Sequence, residues 1–187
     1  MRLDRDFRSA DLRGRDLSGA DFCHADLSYA DLGGAKLVGA NLSGGILDHT
    51  NLNGADVRDA DLSEAYLANA RADRADFTGA VLTRACLVSA SLRGANLHGA
   101  NLKGARACGA DLNFADLSSA AAAGADFTGA HCHAADFSGA GAGGAVFLAA
   151  DVTSANFAGV AAVDLSGAYR DCAVLRFAGV AATCAAA

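Results

Sequence analysis

Every fifth residue of this chain repeats a chemical type, and the phase holds without a slip from Phe7 to Ala162. The 32 centres of the repeat, at residues 7, 12, 17 and onward, hold 17 Leu, seven Phe, five Ala, two Val and one Cys. Two residues before the centre stands Ala in 27 of the 32 repeats; the exceptions are Arg5, Arg15, Gly45, Thr50 and Val160. One residue before it, Asp or Asn occurs 19 times, from Asp6 to Asn156. Gly is the commonest residue two after the centre, as at Gly14, Gly19 and Gly34. A period of five fits neither the helix period of about 3.6 nor the strand period of about two. What remains is a solenoid in which each unit makes one short side and one turn.

Residues two apart on an extended segment point the same way. The large centre and the Ala before it therefore both face the axis, and a narrow tube has no room for two large residues per side. Asp, Asn, Ser, Arg and Gly take the outward positions. Glycine after the centre fits corners that need unusual dihedrals. The chain contains no Pro, as expected where nearly every amide is needed as a ladder donor.

The Ala-(Asp/Asn)-Leu-X-Gly consensus closely resembles the pentapeptide-repeat family, over nearly the whole chain. The resemblance implies an all-β fold: a right-handed quadrilateral β-helix with four repeats per coil and about nine coils. At strand spacing such a rod is roughly 40 Å long. Residues 1–187 then form a single domain. Past Ala162 the phase jumps by three, to Val163-Asp164-Leu165, so two residues are in effect deleted and a register shift is expected near 160–165. Ala168, Ala173 and Ala178 keep the new register. The segment 171–187 reads either as a further coil or as a short helix capped by Asp171.

Charge is segmented. Residues 1–64 carry 12 acids and 7 bases, residues 65–110 carry 2 and 6, and residues 111–187 carry 7 and 2. The net charge of −6 argues against direct nucleic-acid binding, which calls for a basic stripe. With 20 residues per coil, Asp16, Lys36, Asp56, Asp76, Asn96, Asp116, Asp136 and Asn156 stack in the most acidic column. Such side chains also favour this backbone position because they cap local amides. Another face carries outward apolar residues in adjacent coils: Ile46, Tyr66, Cys86 and Val88, with Val146 and Leu148 further along. Grouped outward apolar residues are candidate contact surface.

Motifs of chemistry are weak. Gly139-Ala140-Gly141-Ala142-Gly143-Gly144 matches a dinucleotide fingerprint literally, but lacks the strand before it and the helix after it. In His131-Cys132-His133 the cysteine is a repeat centre and faces inward while both histidines face out, which denies a metal a closed shell. No catalytic set, cofactor or metal is expected. The six cysteines show no paired spacing and read as reduced thiols of a cytoplasmic protein. The charged opening Met1-Arg2-Leu3-Asp4-Arg5-Asp6 has no apolar core behind it, and the uncharged run 137–150 is too short to span a bilayer.

Two functions remain. One is a non-catalytic interaction rod whose protein partner binds Ile46, Tyr66 and Val88 or a charged segment. The other comes from the resemblance, which includes quinolone-resistance proteins that bind DNA gyrase in place of DNA. Asp56, Asp76, Asp116 and Asp136 would carry that mimicry. B-DNA presents a charge every ~1.7 Å, so roughly 23 over this length, far above −6, and the basic middle interrupts it. A homodimer through the C-terminal end is expected, with Val174, Leu175, Phe177 and Val180 as its interface, because an uncovered sheet edge invites pairing.

Overall fold

Parallel pairing with a constant interval of 20 residues organises the chain. In the computed structural model, which describes residues 5–161 and 163–171, Asp6 bridges Asp26, Asp26 bridges Ile46 and Ile46 bridges Tyr66. The same interval holds down to Asp136 and Asn156. Four repeats fill each circuit, so residues of like position stack into four columns. Each side is only one bridged residue long before the chain turns.

The turn explains the composition amide by amide. In the repeat centred on Leu27, the Asp26 amide donates back to the Arg5 carbonyl at 2.8 Å, and the Leu27 amide donates forward to Ile46 at 2.7 Å. The Tyr29 amide donates forward to Asp48 at 3.0 Å, and that of Ala30 closes the turn on Leu27 at 3.0 Å. One amide is left, that of Ser28, and the Asp26 carboxylate takes it at 3.0 Å. Each Asp or Asn of this position, from Asp6 to Asn156, does the same two residues on. The recurrence of Asp and Asn is therefore a backbone requirement, since an unmade amide bond costs about 1 kcal/mol or more.

The second turn residue is left-handed, whether it is Gly94 (φ 59) or Tyr29 (φ 60). A residue with a Cβ pays about 1 kcal/mol there, so glycine is common but not obligatory.

Inside, the centres from Leu27 to Phe157 are almost fully buried, and so are the small residues two before them. Each buried Leu contributes roughly 2 kcal/mol. Towards the C-terminal half the filling changes. Phe127 stacks on Phe147 at 4.9 Å and Phe137 on Phe157 at 4.8 Å, in columns across the axis from one another. The columns between them hold Ala122, Cys132, Ala142 and Val152, all buried. Small residues on two sides make room for rings that meet edge-on at 5.6–5.8 Å, which keeps the interior close-packed. Thr50, in an Ala position, is wholly buried, and its hydroxyl donates to the Leu27 carbonyl at 2.7 Å.

Among the described residues the interval shortens at one place. Asp151 bridges Tyr169, two residues sooner than the rule demands, and Val163 and Leu165 are the last buried residues there. The next centre in the new register is Arg170, which is exposed and donates to the Leu165 carbonyl at 3.0 Å. Asp171 accepts from the Ser154 amide at 3.2 Å. Val174, Leu175, Phe177 and Val180 lie outside the described residues.

Candidate interaction surfaces

Arginines divide into two kinds by their place in the repeat. One residue after the centre, an Arg faces the Asp one residue before it. Arg8, Arg13 and Arg58 each grip Asp6, Asp11 and Asp56 with two side-chain bonds of 2.6–2.9 Å. Hydrogen bonds from the arginine side chains hold the Asp6 and Asp11 carboxyls down to about 2, and Arg58 lowers that of Asp56 in the same way. An Arg elsewhere in the repeat has no acid of its own repeat to grip, and where it pairs, as Arg5 does with Asp21 at 2.9 Å and Arg84 with Glu64 at 3.7 Å, it reaches another repeat. Arg71 and Arg106 stand at the bridged position and Arg74 at the left-handed corner; none of the three has an ion pair among the described residues.

Asp56, Asp76, Asp116 and Asp136 fall in one column, joined through Asn96 by successive bridges. The column is less negative than its letters. Arg58 grips Asp56 and lies 3.9 Å from Asp76, and the Asn156 side-chain amide donates to Asp136 at 3.0 Å. One oxygen of each carboxylate is also turned onto the backbone.

On another side, Ile46 bridges Tyr66 and Tyr66 bridges Cys86. Ile46 is 39% and Tyr66 54% exposed, while Cys86 and Val88 are half-buried. Two neighbours escaped the sequence reading. At the corner of the same side Tyr29 stacks on His49 at 4.9 Å, and Tyr29 is 64% exposed. The one available signal was a bulky residue at a position where glycine is the norm. Phe114 is the parallel case on the next side: 57% exposed, edge-on to His133 at 5.6 Å, with the Arg93 guanidinium 5.9 Å from its ring centre.

His131, Cys132 and His133 are separated by the wall of the tube. Cys132 is buried and burial pushes its thiol well above the usual range. His131 bridges Asp111 and Asp151, whereas His133 Nδ1 lies 2.8 Å from the Thr153 hydroxyl. Among the described residues no group of His, Cys, Asp or Glu is placed to hold a metal ion. Gly139–Gly144 forms two repeat corners, at Gly139 and Gly144, with a bridge at Gly141 between them. No helix among the described residues is long and apolar enough to cross a membrane.

The sequence matches the family of pentapeptide repeats in 8 copies, over residues 6–44, 31–63, 60–99, 90–131 and 109–140. None of the curated proteins matches it. Among solved structures it is similar to HetL, a pentapeptide repeat protein involved in heterocyst differentiation regulation in the cyanobacterium Nostoc sp. strain PCC 7120. That likeness is 34% identity over 88% of this chain and 78% of HetL, with a TM-score of 0.58. A trypsin-treated form of QnrB1, a plasmid-mediated fluoroquinolone resistance protein, shares the fold at 22% identity over 90% of this chain and 84% of that one, with a TM-score of 0.56. Ladder, period and matches agree: the chain belongs to the pentapeptide-repeat family.

Proposed function

We propose that this chain is a non-catalytic protein-interaction rod, a right-handed four-sided β-helix of about nine coils working in the cytoplasm. Its partner docks on the side that carries Ile46, Tyr66 and Val88. The observation that supports this is continuity: Ile46, Tyr66 and Cys86 are bridged in succession, so their side chains make one apolar strip instead of scattered surface residues. A strip of this kind, rimmed by polar residues, marks an interaction site in a soluble protein. The Tyr29–His49 stack extends it. A photo-crosslinking residue placed at Tyr66 should capture one discrete protein, whereas the same residue at Ser138 on another side should not. Ile46→Asp with Val88→Asp should abolish capture by the residue at Tyr66 while leaving thermal melting unchanged. Equal capture from both positions rejects the site.

The acidic column favours a second reading, a rod that binds DNA gyrase in place of DNA. The single file of Asp56, Asp76, Asp116 and Asp136 is the support for it. A supercoiling assay with the purified rod, with and without a fluoroquinolone, tests it directly.

We also propose that the rod pairs with a second copy through its C-terminal end, with Val174, Leu175, Phe177 and Val180, which lie outside the described residues, as the contact. Light scattering on the intact chain at micromolar concentration should give a dimer mass, and Phe177→Asp with Val174→Asp should return it to a monomer. A monomer mass for the intact chain rejects the pairing.

A further inference from the structure

The basic middle of the rod keeps its charge for want of internal partners. Of the six bases between residues 65 and 110, Arg84 lies 3.7 Å from Glu64 and Arg93 3.0 Å from Asp111. Arg71, Arg74, Lys103 and Arg106 have no ion pair among the described residues. The rule of the repeat accounts for this: Arg71, Arg74 and Arg106 occupy positions that no Asp of their own repeat faces, and Lys103 faces Asn101.

Three of the six converge on one side. Arg71 is bridged between Asn51 and Ser91. Arg74 occupies a corner with glycine on either side of it in the stack, Gly54 below and Gly94 above. Its stem runs within 3.9 Å of where a Cβ on Gly94 would stand. A shallow groove of about 490 Å³ opens here, lined by Asn53, Gly54, Asp73, Arg74 and Arg93. The carboxylate of Asp73 is occupied by the rod itself, accepting from the Ser91 hydroxyl and from the Arg93 amide. Two circuits along the same corner stands Phe114, with Arg93 over its ring.

We propose that this groove, with Arg71 and Phe114 beside it on the same side of the rod, binds a short acidic segment of a protein partner, with carboxylates on Arg74 and Arg71 and an apolar or aromatic side chain on Phe114. Guanidinium groups pair with carboxylates through two parallel bonds, and an exposed ring beside them adds an apolar anchor of the kind that dominates interfaces. Size selects a peptide over a nucleic acid. The basic zone is about two circuits tall, roughly 10 Å at strand spacing. A duplex carries a charge every ~1.7 Å and would run past the groove onto ends that are each net −5, within a screening length of about 8 Å. A few carboxylates fit inside the zone.

The proposal rests on the reading of the chain as an interaction rod but uses a different side from Ile46 and Tyr66, so the two fail separately. Fluorescence anisotropy with a labelled Asp/Glu-rich peptide bearing one central Trp is the direct test. It should show saturable, salt-sensitive binding that Arg71→Gln with Arg74→Gln weakens about tenfold and that Phe114→Ala also weakens. Lys103→Gln with Arg106→Gln, on the other sides, and Ile46→Asp with Tyr66→Asp should leave it unchanged; melting curves check that each variant folds. Absence of saturable binding overturns the groove. Equal loss from both charge doubles overturns it in favour of a diffuse field, and tighter binding of a duplex DNA probe overturns it in favour of a nucleic-acid surface.

Discussion

The Asp48 carboxylate accepts the amide hydrogen of Ala68, twenty residues further on, at 3.0 Å. It does so because Tyr66 stands where an Asp would otherwise have taken that amide. The same substitution of partner occurs wherever Arg71, Ser91 or His131 holds the bridged position. There Asn53, Asp73 and Asn113, one circuit earlier, reach the amides of Asp73, Arg93 and His133 at 2.9–3.1 Å. In these four repeats the missing acceptor is thus supplied by the repeat stacked beneath, which carries Asp or Asn just after its centre. Asp48→Ala should lower stability by about 1 kcal/mol. In a Tyr66→Asp background it should cost almost nothing, because the new carboxylate caps Ala68 from within its own repeat. Additive losses in a double-mutant cycle of thermal unfolding would refute the exchange.

Leu97 sits 1% exposed between Phe77 and Leu117, which are fully buried, in the column set by the bridges from Asp76 through Asn96 to Asp116. A carboxylate there would have no donor within the tube, and burying an unpaired charge costs more than most domains can spare. Leu97→Asp should abolish cooperative melting, whereas Leu97→Met should retain it with a loss of about 1 kcal/mol. Circular dichroism on both variants decides the register.

The inward set was legible because burial and period state the same thing twice: Leu27, Phe77 and Leu97 are large apolar residues at a fixed spacing, and a tube leaves them nowhere else to go. The stacking interval of Asp56 and Asp76 followed from the family resemblance. What spacing alone hides is the fate of each charge. Arg58 and Arg74 look alike as letters, yet one lies across from Asp56 and the other on a corner where no acid of its repeat faces it. Nor does a period announce that Asp48 serves a repeat twenty residues away, since the signal is the absence of Asp at Tyr66. The Tyr29–His49 stack was equally hidden, because both residues sit at corners that a consensus writes as glycine.

Acid should loosen the rod through the carboxylates that its own donors hold, not through its ordinary exposed ones. Hydrogen bonds from Arg8 and Arg13 hold the Asp6 and Asp11 carboxyls at about 2. Those from Thr128 and Thr153 lower Asp126 and Asp151. In the unfolded chain each returns to about 3.9. For Asp6 and Asp11 the unfolded state therefore binds more protons between those values, so their stabilisation is complete above about pH 4 and is lost as pH falls toward about 2; that of Asp126 and Asp151 is lost in the same direction, below the unfolded value. The melting temperature should drop across that window. Asp126→Asn together with Asp151→Asn should flatten the drop, because Asn keeps the acceptor without a proton to gain. An unchanged slope in that variant would contradict the assignment.

If the rod blocks gyrase by presenting carboxylates as DNA presents phosphates, the acidic column must act through net charge at its surface. Arg58 then opposes the activity, since it grips Asp56 at 2.7 Å and reaches Asp76 at 3.9 Å. Two substitutions pull this apart from a role in folding. Changing Asp56, Asp76, Asp116 and Asp136 together to Asn preserves the oxygen that each turns onto the backbone amide two residues on. The fold should survive with a small loss of stability, and inhibition of supercoiling should fall about tenfold or more. Arg58→Ala should move the other way, strengthening inhibition by uncovering two carboxylates, although it removes a favourable pair from the rod. Surface pairs of this kind contribute about 1 kcal/mol or less, so melting is a weak guide and the supercoiling titration is the measurement that counts. A rod that inhibits equally well with all four aspartates neutralised, or better without Arg58 only because it has unfolded, does not work by charge mimicry along this column.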